Sequence, residues 1–140
     1  MIHAKNCVLQ FAAENKSVFA EIEQSTQWKF LDTVAQRAVV NTIRKRGEEY
    51  SWHLRDLVDL AEEDEKNMLY SYLMKDPFAM VEDKNRMFRD CWRSIRKDAL
   101  QKEKESIQER IKECEKSGNN GELDILLRNF SKIQQELGKI

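Results

Sequence analysis

The side chains with the strongest chemistry in this sequence are its two histidines and three cysteines. His3 and Cys7 stand four residues apart, which sets an imidazole and a thiol on one face of a helix, the spacing of paired metal ligands. A tetrahedral site needs further ligands and no nearby residue supplies them, so the pair reads as a partly exposed histidine beside a core thiol. Cys7, Cys91 and Cys114 are odd in number and widely spaced, which fits neither a disulfide framework nor a zinc knuckle, and buried free thiols are expected. His53, between Trp52 and Leu54, has no serine or cysteine nucleophile paired with it in sequence. The run Glu62, Glu63, Asp64, Glu65 lacks the alternating oxygen ligands and turn glycine of a calcium loop and reads as a solvated connection. Gly47, Gly118, Gly121 and Gly138 fall at helix ends or turns and form no phosphate loop. These residues predict no catalytic site, no cofactor and no metal.

Charge narrows the partners. Arg86, Arg89, Arg93, Arg96 and Lys97 could touch phosphates, but Asp83, Asp90 and Asp98 are mixed among them. The whole chain carries 24 Lys+Arg against 25 Asp+Glu, a net charge of −1. A dedicated nucleic-acid binder has a strongly basic face, so no strong direct nucleic-acid binding is expected. Trp28, Trp52 and Trp92 offer rings for base stacking, yet all occupy positions compatible with a helical core. The longest apolar runs, such as Phe11 to Ala13, are far too short to span a bilayer, and no secretory signal opens the sequence. No membrane association and a cytoplasmic location are expected.

The elements that must position these residues are all helical. The 140 residues are the size of one domain; 35% are charged and 41% hydrophobic, while Gly and Pro total five, a profile of charge-laced helices rather than turn-rich strands. A first helix carries Ile2, Val8, Leu9, Phe11, Ala12 and Ala13 and fades near Asn15, with Ser17 placed to cap a second bearing Val18, Phe19 and Ile22. Ser25 and Thr26 mark the next start, and from Trp28 the set Phe30, Leu31, Val34, Ala35, Ala38, Val39, Ile43 wraps a face broad enough for the hub of the core. Arg44, Lys45 and Arg46 complement the end of that helix before Gly47. After Ser51 a compact stretch with Leu54, Leu57, Val58 and Leu60 precedes the acidic run, then Met68, Leu69, Tyr72, Leu73 and Met74 follow up to the break at Asp76-Pro77.

From about Phe78 to Ser117 one long helix is expected, with an apolar face that changes direction: Phe88, Cys91, Trp92, Ile95 and Ala99 on one side, Leu100, Ile107, Ile111 and Cys114 on another. The polar stretch Gln101 to Ser106 between them predicts a helical, exposed neck, dividing a bundle subdomain (1–100) from a hairpin subdomain (101–140). Ser117-Gly118-Asn119-Asn120-Gly121 supplies a glycine C-cap and an asparagine N-cap. The returning arm spaces Leu123, Leu126, Phe130, Ile133, Leu137 and Ile140 three and four apart, a heptad seam. Ile125 and Leu127 lie off that seam and are the apolar side chains expected to face a partner.

Over nearly its whole length the sequence resembles the helicase-binding C-terminal domain of bacterial DNA primase. The likeness is carried by "CVLQFAAENKSVFAEI", by "AVVNTIRKRGEE" with "LRDLVDLAEEDEKNMLYSYLM", and most specifically by "MFRDCWRSIRKDALQKEKESIQERIKECEKSGNNGELDILLRNFSKIQQEL". The resemblance implies a helical bundle, one long connecting helix and a C-terminal α-helical hairpin. It implies docking on the N-terminal domains of the hexameric replicative DNA helicase, with modulation of helicase activity during primer synthesis at a bacterial replication fork. Neither the zinc ribbon nor the acidic polymerase motif of the parent enzyme is present, so the chain is expected to be a non-catalytic fragment beginning at an added Met1. The partner-binding residues expected are Ile125, Leu127, Phe130, Ile133 and Leu137, the last three also holding the two arms together. Arg89, Arg93 and Arg96 are the alternative surface. The other readings are the N-terminal domain of the helicase itself, which shares the bundle but is disfavoured by the hairpin seam, and an unrelated small helical adaptor.

Overall fold

The computed structural model describes residues 2–140; the expected added Met1 lies outside the described residues. Among these residues the chain is all helical: α1 (Ile2–Ala13), α2 (Lys16–Thr26), α3 (Val34–Arg46), α4 (Leu57–Leu60), α5 (Lys66–Leu73), α6 (Lys84–Ser117) and α7 (Asn120–Lys139), with short 3₁₀ turns at Leu54–Asp56 and Glu63–Glu65. Two compact units divide between Trp92 and Arg93.

In the first unit the residues that go inside belong above all to α1 and α3. Cys7, Val8, Leu9, Ala12 and Ala13 on α1 are completely buried, as is Gln10 nearly so. A helix buried around most of its circumference has little contrast between faces, which is why periodicity marks α1 weakly. On α3, Ala38, Val39, Val40 and Ile43 are buried, but Val34 is 65% exposed. Leu57 and Leu69 bring α4 and α5 into the same core.

Three expected helix starts move, each for a capping reason. Asn15, not Ser17, caps α2: its Oδ1 accepts from the Val18 amide at 3.4 Å, and the Ser17 hydroxyl donates to the same oxygen. Ser25 and Thr26 end α2 instead of starting α3, both donating to the Ile22 carbonyl. Gln27 and Trp28 then take φ of 53° and 59°, a left-handed step that a continuing helix cannot contain. α3 therefore begins only after Thr33, which forms a reciprocal capping box with Gln36. Likewise residues 77–80 form a turn rather than helix, and Asp83 Oδ1 accepts from the Arg86 amide at 3.0 Å to start α6.

Most buried polar side chains in this unit are paired, the indole Nε1 of Trp28 being the exception. Gln36, fully buried, donates to Asn6 Oδ1 at 2.7 Å while its Oε1 accepts from the Asp32 and Thr33 amides; Tyr72 donates to the same Asn6 oxygen at 3.0 Å. Tyr50 donates to the Ala13 carbonyl at 2.7 Å, and the mostly buried Lys5 ammonium meets Asp32 at 2.6 Å. The tryptophans lie in one aromatic cluster, with Phe19 against both Trp28 and Trp52, Trp28 against Phe30, and Phe30 against Trp92.

The second unit, Arg93–Ile140, is a two-armed helical hairpin with its own small core. Gln101 to Ser106 are helical, and all but the half-buried Lys104 are exposed.

Candidate functional site

The hairpin is built from its turn outward. Gly118 adopts φ 74°, and its amide and that of Asn119 both donate to the Cys114 carbonyl, at 2.9 and 3.2 Å, closing α6. Only glycine takes that conformation without a steric cost. Asn119 then caps α7, its Oδ1 accepting from the Glu122 amide at 3.3 Å while its Nδ2 donates to Glu122 Oε2 at 3.2 Å. Glu122 also reaches Arg110 Nη2 on the opposite arm at 3.3 Å, and Lys104 Nζ stands 5.6 Å from the centre of the Phe130 ring. Both contacts tie the arms in one register, although the Arg110–Glu122 pair is exposed enough to contribute little energy.

Between the arms, Ile107, Cys114, Leu126 and Ile133 are buried, with Leu100, Ile111, Leu123, Phe130 and Leu137 packed around them. Of the five residues expected to meet a partner, Ile133 thus lies inside the seam, Phe130 and Leu137 are half-buried along it, and Ile125 and Leu127 are 60% and 47% exposed.

Those two exposed residues do not share a face. At about 100° per residue they are roughly 160° apart around α7, one on each flank of the seam. The surroundings differ accordingly. Leu127 projects beside Leu123 and Phe130, both only half-buried, which makes a continuous apolar strip bordered by Gln134. Ile125 projects among Asn129, Lys132 and Glu136, all exposed, and stands alone.

The other residues singled out for chemistry are dispersed. His3 Nε2 lies 3.6 Å from Cys7 Sγ, but burial pushes the Cys7 thiol up to about 12, with neighbouring Cys91 adding to the rise, so Cys7 is held protonated rather than activated as a nucleophile. Cys114 is also raised, by desolvation first and then by the Glu122 carboxylate. Among the described residues no group of three or more His, Cys, Asp or Glu side chains is placed to hold a metal ion. His53 is exposed ahead of the first 3₁₀ turn and makes no capping bond. Glu63 of the acidic run pairs with Lys66 at 3.1 Å. Arg89, Arg93 and Arg96 are all exposed on α6. Among the described residues no helix is long and apolar enough to cross a membrane.

Sequence reasoning did not anticipate a cleft of about 520 Å³ in the first unit, lined by Phe19, Ile43 and Trp52 together with Lys16 and Lys45. Its only sequence signal is the cationic end of α3, and the Arg44–Glu23 and Arg46–Glu49 pairs already occupy two of those cations.

No family model, no curated protein and no solved structure matches this chain.

Proposed function

We propose that this chain is a helicase-binding domain of the kind found at the C-terminus of bacterial DNA primase, and that its hairpin docks on the N-terminal domains of a hexameric replicative helicase. In this reading the chain performs no catalysis itself, needs no cofactor and works in the bacterial cytoplasm. The observation that carries the proposal is the hairpin. Its core is complete without help, yet α7 displays an apolar strip of Leu127 with the open edges of Leu123 and Phe130. An amphipathic helix with a spare apolar edge is suited to lie in a partner's groove, with the side chain that projects from that edge supplying most of the energy.

The resemblance of the long-helix segment supports the choice of partner, and the seam favours a primase domain over the helicase's own N-terminal domain. The proposal sharpens the expected contact surface: Leu127 is the anchor, Ile125 a peripheral residue, and Ile133 a core residue whose loss would unfold the arms. Arg89, Arg93 and Arg96 contribute long-range attraction at most.

Calorimetric titration of the chain into the replicative helicase hexamer, and into the hexamer lacking its N-terminal domains, tests the proposal. Binding to the first and none to the second is expected. No binding to the intact hexamer would refute the helicase reading, and equal binding to both would relocate the contact to the motor domains.

A further inference from the structure

Two cysteines far apart in sequence lie near each other inside the first unit. Phe11 on α1 and Phe88 on α6 stack with ring centres 4.4 Å apart and planes at 12°. Lys84, at the start of α6, lines a cavity with Gln10 and Glu14 at the end of α1, so the two helices approach antiparallel; Cys7, one turn back along α1, and Cys91, one turn forward along α6, therefore lie on the same side of the stacked rings. Cys91 is near enough to Cys7 to add to the rise of the Cys7 thiol. Cys7 is completely buried, whereas Cys91 is half-buried and the more accessible of the two. Exposed His3 has its Nε2 3.6 Å from the Cys7 sulfur.

We infer that Cys7 and Cys91 form an oxidisable pair, a disulfide staple that fastens α1 to the start of α6 when the protein meets a peroxide. This inference is independent of the helicase reading. The chemistry proceeds in two steps. The more accessible Cys91 thiol attacks the peroxide, cleaving its O–O bond; sulfur gains one oxygen as a sulfenic acid, and the peroxide is reduced to water or an alcohol. The Cys7 sulfur then attacks Cys91 Sγ, the S–O bond breaks, and the hydroxide leaves as water with the proton from Cys7. His3 Nε2 relays that proton. The relay matters because burial holds the Cys7 thiol protonated, up to about 12, and a thiol attacks through its thiolate. Reduction by a dithiol reverses the staple.

The bond would close a loop containing most of the first unit, and cross-links that close long loops restrict the unfolded chain most. It would act on the unit whose core depends on α1, and it would leave the hairpin and its Cys114 untouched.

The test uses the full chain treated with hydrogen peroxide at a few equivalents, then mapped by alkylation and peptide mass spectrometry without reduction. The expected product is a monomer that has lost two hydrogens and contains a Cys7–Cys91 peptide pair. Its melting temperature should be higher by on the order of 10 °C and return to the starting value with dithiothreitol. Cys114→Ser should behave as the parent, Cys91→Ser should show no shift, and His3→Gln should slow closure several-fold. Cys91 trapped as a sulfinic acid, with Cys7 still alkylated on unfolding, would overturn the staple. So would a Cys7–Cys114 or intermolecular link, and the map of the unsubstituted chain decides this even if a variant fails to fold. An unchanged closure rate in His3→Gln would overturn the relay.

Discussion

The two units solve the same problem, burying apolar surface with helices, at very different depth. In the first, α1 is enclosed on nearly all sides, and Gln36 and Tyr72 both donate to the side-chain oxygen of its Asn6. In the hairpin, four buried residues and their half-buried neighbours form one seam, and the rest of each arm faces solvent. A single seam spares most of a helix for other contacts, but it leaves each core residue with no substitute. Enclosure lends rigidity to the first unit; the hairpin keeps surface available, and that is where a partner face can be accommodated.

The largest expected effect tests that dependence on single residues. Leu126→Ala removes a side chain that is 2% exposed at the middle of the seam and should destabilise the hairpin by about 3 kcal/mol, the usual cost of a buried Leu cavity. Hydrogen exchange should show amides of 93–140 losing protection while 2–92 keep theirs; equal loss in both would show that the units unfold as one.

In the first unit, Gln36→Ala removes the acceptor of the Asp32 and Thr33 amides, one of the two donors to Asn6 Oδ1, and half of the α3 capping box. A loss of about 2 kcal/mol is expected in urea titration. A neutral result would mean that water replaces the glutamine without cost.

Alkaline pH separates the units further. Burial raises Tyr72 from its ordinary value to about 12, and raises Tyr50 and Cys7 as well. A raised acid stays neutral in the folded state after it has ionised in the unfolded one, so the stability it contributes is intact below the unfolded value and lost as pH rises toward the folded one. Between pH about 9 and 12 the first unit should lose stability; Cys114 alone adds this sensitivity to the hairpin. Urea midpoints followed by tyrosine absorbance against pH will show it, and a flat profile would contradict the burial of these hydroxyls.

The smallest effect is at the hairpin's cross-arm contacts. Arg110→Ala should cost under about 1 kcal/mol, since the pair with Glu122 is exposed on both sides, and the loss should vanish in high salt.

Much of the hairpin was legible in the sequence because one glycine, one asparagine and a strict three-four spacing specify a turn and a seam with local rules alone. The off-seam exposure of Ile125 and Leu127 follows from the same arithmetic. Which of them borders further apolar surface did not, since that depends on how deeply Leu123 and Phe130 sink between the arms. The first unit was less legible. Its all-helical character followed from composition, but Trp28, Phe30 and Leu31, expected on a helix, lie in the loop before α3, where two left-handed residues fold aromatic rings into the core. Apolar loop residues imitate helix periodicity when nothing in the local sequence forbids it. The nearness of Cys7 and Cys91, 84 residues apart, had no local signal.

The account rests on Leu127 as the anchor of the partner-facing strip, and a pair of calorimetric titrations addresses it directly. Leu127→Asp and Ile125→Asp are each titrated against the cognate replicative helicase hexamer, with helix content followed by circular dichroism. With both variants folded, Leu127→Asp should weaken binding by about 2 kcal/mol, some thirtyfold, and Ile125→Asp by under about 0.5 kcal/mol. Unchanged affinity in a folded Leu127→Asp protein would contradict the assignment of the strip as the docking face.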